Sequence, residues 1–182
     1  SEASAKTNSQ ILKVKEKKVS DILHGTPSVL KNTKKQPKTP YIFTVIANYP
    51  HKNLKTLLAA FKRLSETTED LDLIICGLGK QPSSSNRIKY LGYVSRQELA
   101  NLYANASVFV FPSAYEGFGY PVLEAMSYGA PVISSNATSL SEVVGKGGIL
   151  VDPYDVEGYT NAISSIIKSK DKREQLIKQG KK

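Results

Sequence analysis

Apolar residues along this chain follow two alternating rhythms. Short β-branched and aromatic runs bounded by Gly, Pro or Asn predict strands: Tyr41-Ile-Phe-Thr-Val-Ile-Ala47, Leu71-Asp-Leu-Ile-Ile-Cys76, Tyr90-Leu-Gly-Tyr-Val94, Ala106-Ser-Val-Phe-Val-Phe111, Pro131-Val-Ile-Ser-Ser135 and Ile149-Leu-Val151. Between them the apolar spacing lengthens to the helical period. Leu54 to Leu64 puts Leu54, Leu57, Leu58, Phe61 and Leu64 on one face, and Val156 to Lys168 does the same with Val156, Tyr159, Ile163, Ile166 and Ile167. Arg96 to Ala104, the stretch from Pro121, Leu140 to Val144, and Asp171 to Gln179 read as further helices. Asn53 and Ser95 stand at N-cap positions, and Glu98 follows Ser95 at capping-box spacing. Leu99, Leu102 and Tyr103 are the expected core face of their helix. Repeated strand–helix units predict an α/β fold, a Rossmann-like parallel sheet with helices on both faces.

The first forty residues break this rhythm. Ser1 to Asn8 is small and polar and is expected to be loose, Ser9 to Lys17 to form a short basic helix, and Val19 to Gly25 a short strand ending in a turn at His24. Lys31 to Pro40 reads as a lysine–proline loop too polar to pack. The chain therefore divides into a basic segment and linker over 1–40, partly packed on the domain, and a Rossmann-like domain over 41–182. Pro82 to Asn86 is expected to be a flexible loop.

One stretch carries the chemistry. After the strand ending at Phe111 come Gly117 and Gly119, then Pro121 at the first turn of a helix, where a missing N–H costs nothing. A helix starting at the carboxyl end of a parallel strand lies where open α/β sheets bind ligands. The N–H groups of Gly119, Tyr120, Val122 and Leu123 are expected to point outward with the positive end of the helix dipole, which suits a phosphate. Glu116 and Glu124 bracket the loop; a carboxylate accepts hydrogen bonds only, so its two oxygens match neighbouring hydroxyls rather than phosphate. A nucleoside diphosphate sugar, with a diphosphate between two diols, fits this layout. An ordinary strand–turn–helix corner with two surface glutamates fits the spacing equally well, because a lone glycine loop is a weak signal.

Glu116-Gly-Phe-Gly-Tyr-Pro-Val-Leu-Glu124 resembles the signature of retaining glycosyltransferases of family 4, the glycosyl transferases group 1. Gly129-Ala-Pro-Val-Ile133, Ser141-Glu-Val-Val144 and Gly148-Ile-Leu-Val-Asp-Pro153 match as well, and the resemblance runs from Tyr41 to about Lys168. It implies the C-terminal, donor-binding half of a GT-B fold, without the acceptor-binding half and its catalytic His. Alone, such a half should bind nucleotide weakly and turn over little. In the family the loop after the first strand carries an Arg and, four residues on, a Lys, both gripping the donor diphosphate. Here Lys52 occupies the Lys position, whereas Asn48 stands where Arg is expected. The resemblance also implies that Glu116 touches the transferred sugar, with Gly117, Phe118 and Gly119 allowing close backbone approach. Glu124 would hold the ribose diol, and the backbone near Tyr93 and Val94 would read the base. The implied catalytic residues are Glu116 and Lys52; no cofactor and no metal are expected.

Composition narrows the partners. The formal charge of +9 over 182 residues is concentrated in lysines at both ends of the chain. Solvated helix faces and a basic connector account for it; attraction to an anionic membrane surface is the sharper reading, at about 1 kcal/mol per well-placed lysine. Nucleic acid is not expected, since the basic segments lack interleaved aromatics. Cys76 falls within a strand pattern and is expected to be buried, and His24 and His51 are too few to build a zinc site with it. A lone cysteine and no apolar run near the ~20 residues of a membrane span fit a cytoplasmic protein, peripheral at the inner membrane face if the lysines act there. The expected function is donor binding for sugar transfer to an acceptor hydroxyl in polysaccharide or glycolipid biosynthesis. Two alternatives stay open: a noncatalytic nucleotide-binding domain, motivated by Asn48, and a GT-B phosphorylase using a phosphorylated sugar.

Overall fold

The computed structural model of the chain describes residues 2–11, 28–34, 36–79 and 85–182. Six strands form one sheet: β1 (Tyr41–Val45), β2 (Asp72–Cys76), β3 (Ile88–Gly92), β4 (Val108–Phe111), β5 (Val132–Ser135) and β6 (Gly148–Val151). Every pairing is parallel and the order is β3-β2-β1-β4-β5-β6. The α/β, Rossmann-like fold expected from the strand–helix alternation is borne out. The strand sequence reverses between β1 and β4, so the ligand crevice of this topology lies at their carboxyl ends.

Period two along the strands sends alternate side chains to opposite faces, and here both faces are apolar. Ile42, Val108, Val110 and Ile133 enter one core with Leu57 and Phe61 of α2 (Leu54–Ser65) and Tyr159 and Ile163 of α6 (Val156–Lys168). Phe43, Phe109, Phe111 and Val132 enter the other, against α3 (Arg96–Asn105), α4 (Tyr120–Ser127) and α5 (Leu140–Val144). Each large side chain so buried contributes about 1.5–3 kcal/mol. The remaining helices are α1 (Glu2–Ile11) and α7 (Lys170–Gly180).

Several expectations need correction. Ser1 to Asn8 was expected to be loose, yet residues 2–11 form α1. The Lys31–Pro40 loop does attach, through polar contacts rather than apolar ones. Asn32 and Thr33 bond Asn105 and Asn101 of α3, and Lys34 meets Glu98 at 2.7 Å. β3 lies two residues earlier than expected and ends at Gly92, whose φ of 68° departs from extended backbone. The Val19–Gly25 strand with His24, most of the Ser9–Lys17 helix and most of the Pro82–Asn86 loop fall outside the described residues. Cys76 is buried as expected, and burial, with the charge of Glu98 adding to it, pushes its thiol up to about 11.

Candidate functional site at the carboxyl ends of β1 and β4

The loop after β1 is built around Asn53. A 3-10 turn over Pro50–Lys52 delivers the chain to Asn53, which takes the left-handed conformation with φ 54°. Asn53 occupies the N-cap position of α2 but does not cap it with its side chain. Its Nδ2 instead donates to the carbonyls of Pro112 and Pro153, and its Oδ1 accepts from Thr56 Oγ1 at 2.8 Å. This buried amide joins three loops on the carboxyl side of the sheet, where a left-handed Asn is tolerated.

The loop after β4 is fixed against it. The carbonyl of His51 accepts from the Ala114 N–H at 2.7 Å and from Ser113 Oγ at 3.2 Å. Farther along, Thr138 Oγ1 accepts from the Glu116 N–H and donates to the Glu116 carbonyl, both at 3.0 Å. Ser139 Oγ reaches the carbonyls of Glu116 and Phe118 at 2.9 and 3.1 Å. The segment after β5 therefore clasps the Glu116–Phe118 backbone. Sequence reasoning missed Asn53's role and both hydroxyls; a Thr-Ser pair following a strand gives no signal on its own.

These loops bring Lys52 and Glu116 together. Lys52 Nζ lies 2.6 Å from Glu116 Oε1, with side chains only 17% and 12% exposed. The ammonium also sits 5.5 Å from the centroid of the Phe111 ring, an arrangement that favours a cation. Sixty-four residues separate the pair in sequence. The family resemblance sent Lys52 to phosphate and Glu116 to sugar; in the ligand-free protein they neutralise one another.

The start of α4 corrects one expectation. Gly119 is its N-cap, with φ 103°, and a Cβ there would meet Leu140 Cδ2 at 2.5 Å. The N–H groups of Val122 and Leu123 both turn back to the Gly119 carbonyl, at 3.0 and 3.4 Å. They were expected to point outward, but a helix that begins at Tyr120 closes its first turn through these two donors. The tip itself is not covered over, since Tyr120 is 47% exposed. Glu124, one turn on, accepts from Tyr103 Oη at Oε2, 3.0 Å away.

The other candidates are more peripheral. Asn48 is exposed on the β1 loop, and Gly117 is exposed beside half-buried Phe118. Tyr93 is 88% exposed beyond the end of β3, and Val94 beside it is half-buried. At the opposite, amino edge of the sheet lies a cavity of about 320 Å³ lined by Lys34, Asp72, Lys89 and Glu98. Four of its charges pair off, Lys34 with Glu98 and Lys89 with Asp72, and it lies at the end of the sheet away from the strand-order crevice. Among the described residues no cluster of three or more His, Cys, Asp or Glu is placed to hold a metal. No described helix is long and apolar enough to cross a membrane.

Comparison with known proteins agrees with this fold. The family described as glycosyl transferases group 1 matches residues 27–182. The chain is 42% identical over 143 residues to O-antigen chain mannosyltransferase B of Escherichia coli, covering 72% of this chain and 38% of that protein. It is 33% identical over 142 residues to O-antigen chain mannosyltransferase RfbU of Salmonella typhimurium, covering 72% of this chain and 40% of the relative. Among solved structures, sucrose-phosphate synthase from Thermosynechococcus elongatus superposes with a TM-score of 0.69 at 29% identity, over 79% of this chain and 40% of that one. The chain thus spans about two fifths of the length of these proteins.

Proposed function

From the premise that this chain belongs to the glycosyl transferases group 1 family, we propose that it is the donor-binding part of a retaining glycosyltransferase, taking a sugar from a nucleoside diphosphate sugar to an acceptor hydroxyl. The observation that carries this reading is the Lys52–Glu116 pair at the strand-order reversal between β1 and β4. A crevice at that position is where this topology holds its ligand. In the proposed complex the diphosphate takes the Lys52 ammonium and approaches the Gly119–Tyr120 end of α4. Glu116, released from Lys52, accepts from hydroxyls of the transferred sugar, and Glu124 accepts from the ribose diol. Binding re-pairs Lys52 with the diphosphate, so charge building on the departing group is met by donors that need no further reorganisation at the moment of reaction. In this reading no metal is required.

Acceptor recognition and exclusion of water require walls that these residues do not supply, so transfer is proposed for the protein joined to an acceptor-binding domain. The mannosyltransferase names of its relatives suggest a mannosyl donor and a bacterial polysaccharide product. A second reading, nucleotide binding without turnover, is favoured by Asn48, which brings no charge where the family signature has Arg. Activity of the intact protein that disappears in Glu116→Ala would rule it out. The exposed lysines Lys168, Lys170 and Lys178 on α6 and α7 are proposed to face an anionic bilayer; salt-sensitive binding to phosphatidylglycerol vesicles tests that.

Thermal-shift titration against ADP, GDP, UDP and their sugar conjugates tests the main reading. Stabilisation by at least one is expected, with Lys52→Ala and Glu124→Gln each weakening binding about tenfold, the worth of a hydrogen bond to a charged group. Indifference to every nucleotide, with a response to a sugar phosphate, would instead favour a phosphorylase.

A further inference from the structure

Tyr103 fills the core between α3 and α4 and is 0% exposed. Three rings fix its direction: Phe43 meets it edge-on at 5.1 Å, Phe109 lies at 5.3 Å, and Tyr128 stacks on it at 5.6 Å. Such a ring cannot swing without breaking the packing of the whole cluster. Its one polar atom emerges from the core at Glu124, where Oη donates to Oε2 at 3.0 Å. Burial, reinforced by the charge of Glu124 and by this hydrogen bond, holds the phenol well above its ordinary pKa. It therefore remains protonated, and toward a carboxylate it acts as a donor. Among the described residues, the other oxygen of Glu124 has no hydrogen-bond partner.

We propose that Tyr103 is a positioning residue for the nucleoside: by holding Glu124 Oε2, it pins the carboxylate so that Oε1 is presented to the ribose hydroxyls. The proposal rests on the reading of Glu124 as the diol acceptor and adds a reason why that acceptor is selective. A carboxylate on a free three-bond side chain spends part of its hydrogen-bond energy on being immobilised. One already tethered to a rigid aromatic cluster loses less on binding, so more of the interaction appears as discrimination between a ribose and a ring lacking its hydroxyls. Tyr103 touches no ligand in this scheme and acts through Glu124.

The test compares UDP and GDP with their 2′,3′-dideoxy counterparts, by calorimetry, on wild type, Tyr103→Phe and Tyr128→Phe. Tyr103→Phe keeps the ring that fills the core and removes only the hydroxyl. Wild type should prefer the ribonucleotide by about tenfold. Tyr103→Phe should lose most of that preference while binding inorganic pyrophosphate as before, which also shows that the variant is folded. Tyr128→Phe, which removes a neighbouring hydroxyl but no bond to Glu124, should keep the preference. A wild type that prefers the ribonucleotide, together with a Tyr103→Phe variant that prefers it equally, would overturn the role of Tyr103 alone. A wild type indifferent to the ribose hydroxyls would remove the diol role of Glu124 and this proposal with it.

Discussion

Replacing Glu116 by Gln should weaken the empty protein and strengthen its grip on diphosphate. Lys52 Nζ meets Glu116 Oε1 at 2.6 Å, and both side chains are largely withdrawn from water. Gln keeps an acceptor at the same reach but removes the charge. The loss is then the difference between a charge-assisted and a neutral hydrogen bond, about 1–2 kcal/mol. For a domain of this size that lowers the melting temperature by about 2–8 °C. Binding changes in the opposite direction. In the wild type an incoming diphosphate must draw Lys52 away from a carboxylate and lie beside that like charge; in Glu116→Gln it meets an ammonium without a counter-ion. Pyrophosphate should bind the variant roughly tenfold more tightly, a difference of about 1.4 kcal/mol, and the gain should shrink with added salt. Calorimetry with inorganic pyrophosphate at low and high ionic strength measures it, beside a melting curve of each empty protein. A variant that binds pyrophosphate no better than wild type would show that Lys52 and the diphosphate do not meet, and the assignment of Lys52 would fall.

Three further outcomes follow from the same geometry. Asn48→Arg, which restores a cation to the exposed β1 loop, should tighten pyrophosphate binding several-fold at low salt and little at high salt, as calorimetry at two ionic strengths would show. Asn53→Ala loses bonds to two carbonyls and must hold a left-handed φ. It should cost about 2–4 kcal/mol in denaturant unfolding, and Asn53→Gly, which suffers no such strain, should cost less. Alkali should destabilise the fold. Cys76 keeps its proton to about 11 in the folded chain against an ordinary 9.0, and burial pushes Tyr41 and Tyr159 upward as well. Between those values the unfolded chain has released the proton and the folded chain has not, so stability is whole below about pH 9 and falls as pH rises through 11. Melting temperatures in a pH series should show this, and Cys76→Ala should flatten the first part of the fall.

Much of the sheet was legible because short β-branched and aromatic runs such as Val108 to Phe111 mark strands buried on both faces. Helix positions were legible from their period: Leu57, Phe61 and Leu64 recur at the spacing that faces the core. Loop chemistry was legible only as a set of candidate groups. Residue types named Glu116 and Glu124, and the family resemblance named Lys52, but nothing local says that Lys52 and Glu116 touch, because that contact depends on β1 pairing with β4. Tyr103 was taken for packing alone, since an apolar helix face reveals a ring and not where its hydroxyl emerges. Val122 and Leu123 were misjudged through a shift in the exact start of α4, the feature least fixed by composition. Polar anchoring of the 28–34 segment escaped notice because Asn101 and Asn105 look like surface residues until the partner segment is laid on them.

Strand order has a bearing on how this molecule comes together. Because the sheet reads 3-2-1-4-5-6, its two half-sheets are each continuous in sequence, and the junction between them is where Lys52 confronts Glu116. α6, from the second half, reaches back across that junction to pack on α2 of the first. A chain bisected between β3 and α3, beside exposed Tyr93, would yield two complementary pieces, each with one wall of the crevice. Reassembly of such pieces should be promoted by nucleotide, which would act there as glue between fragments rather than as cargo in a finished pocket.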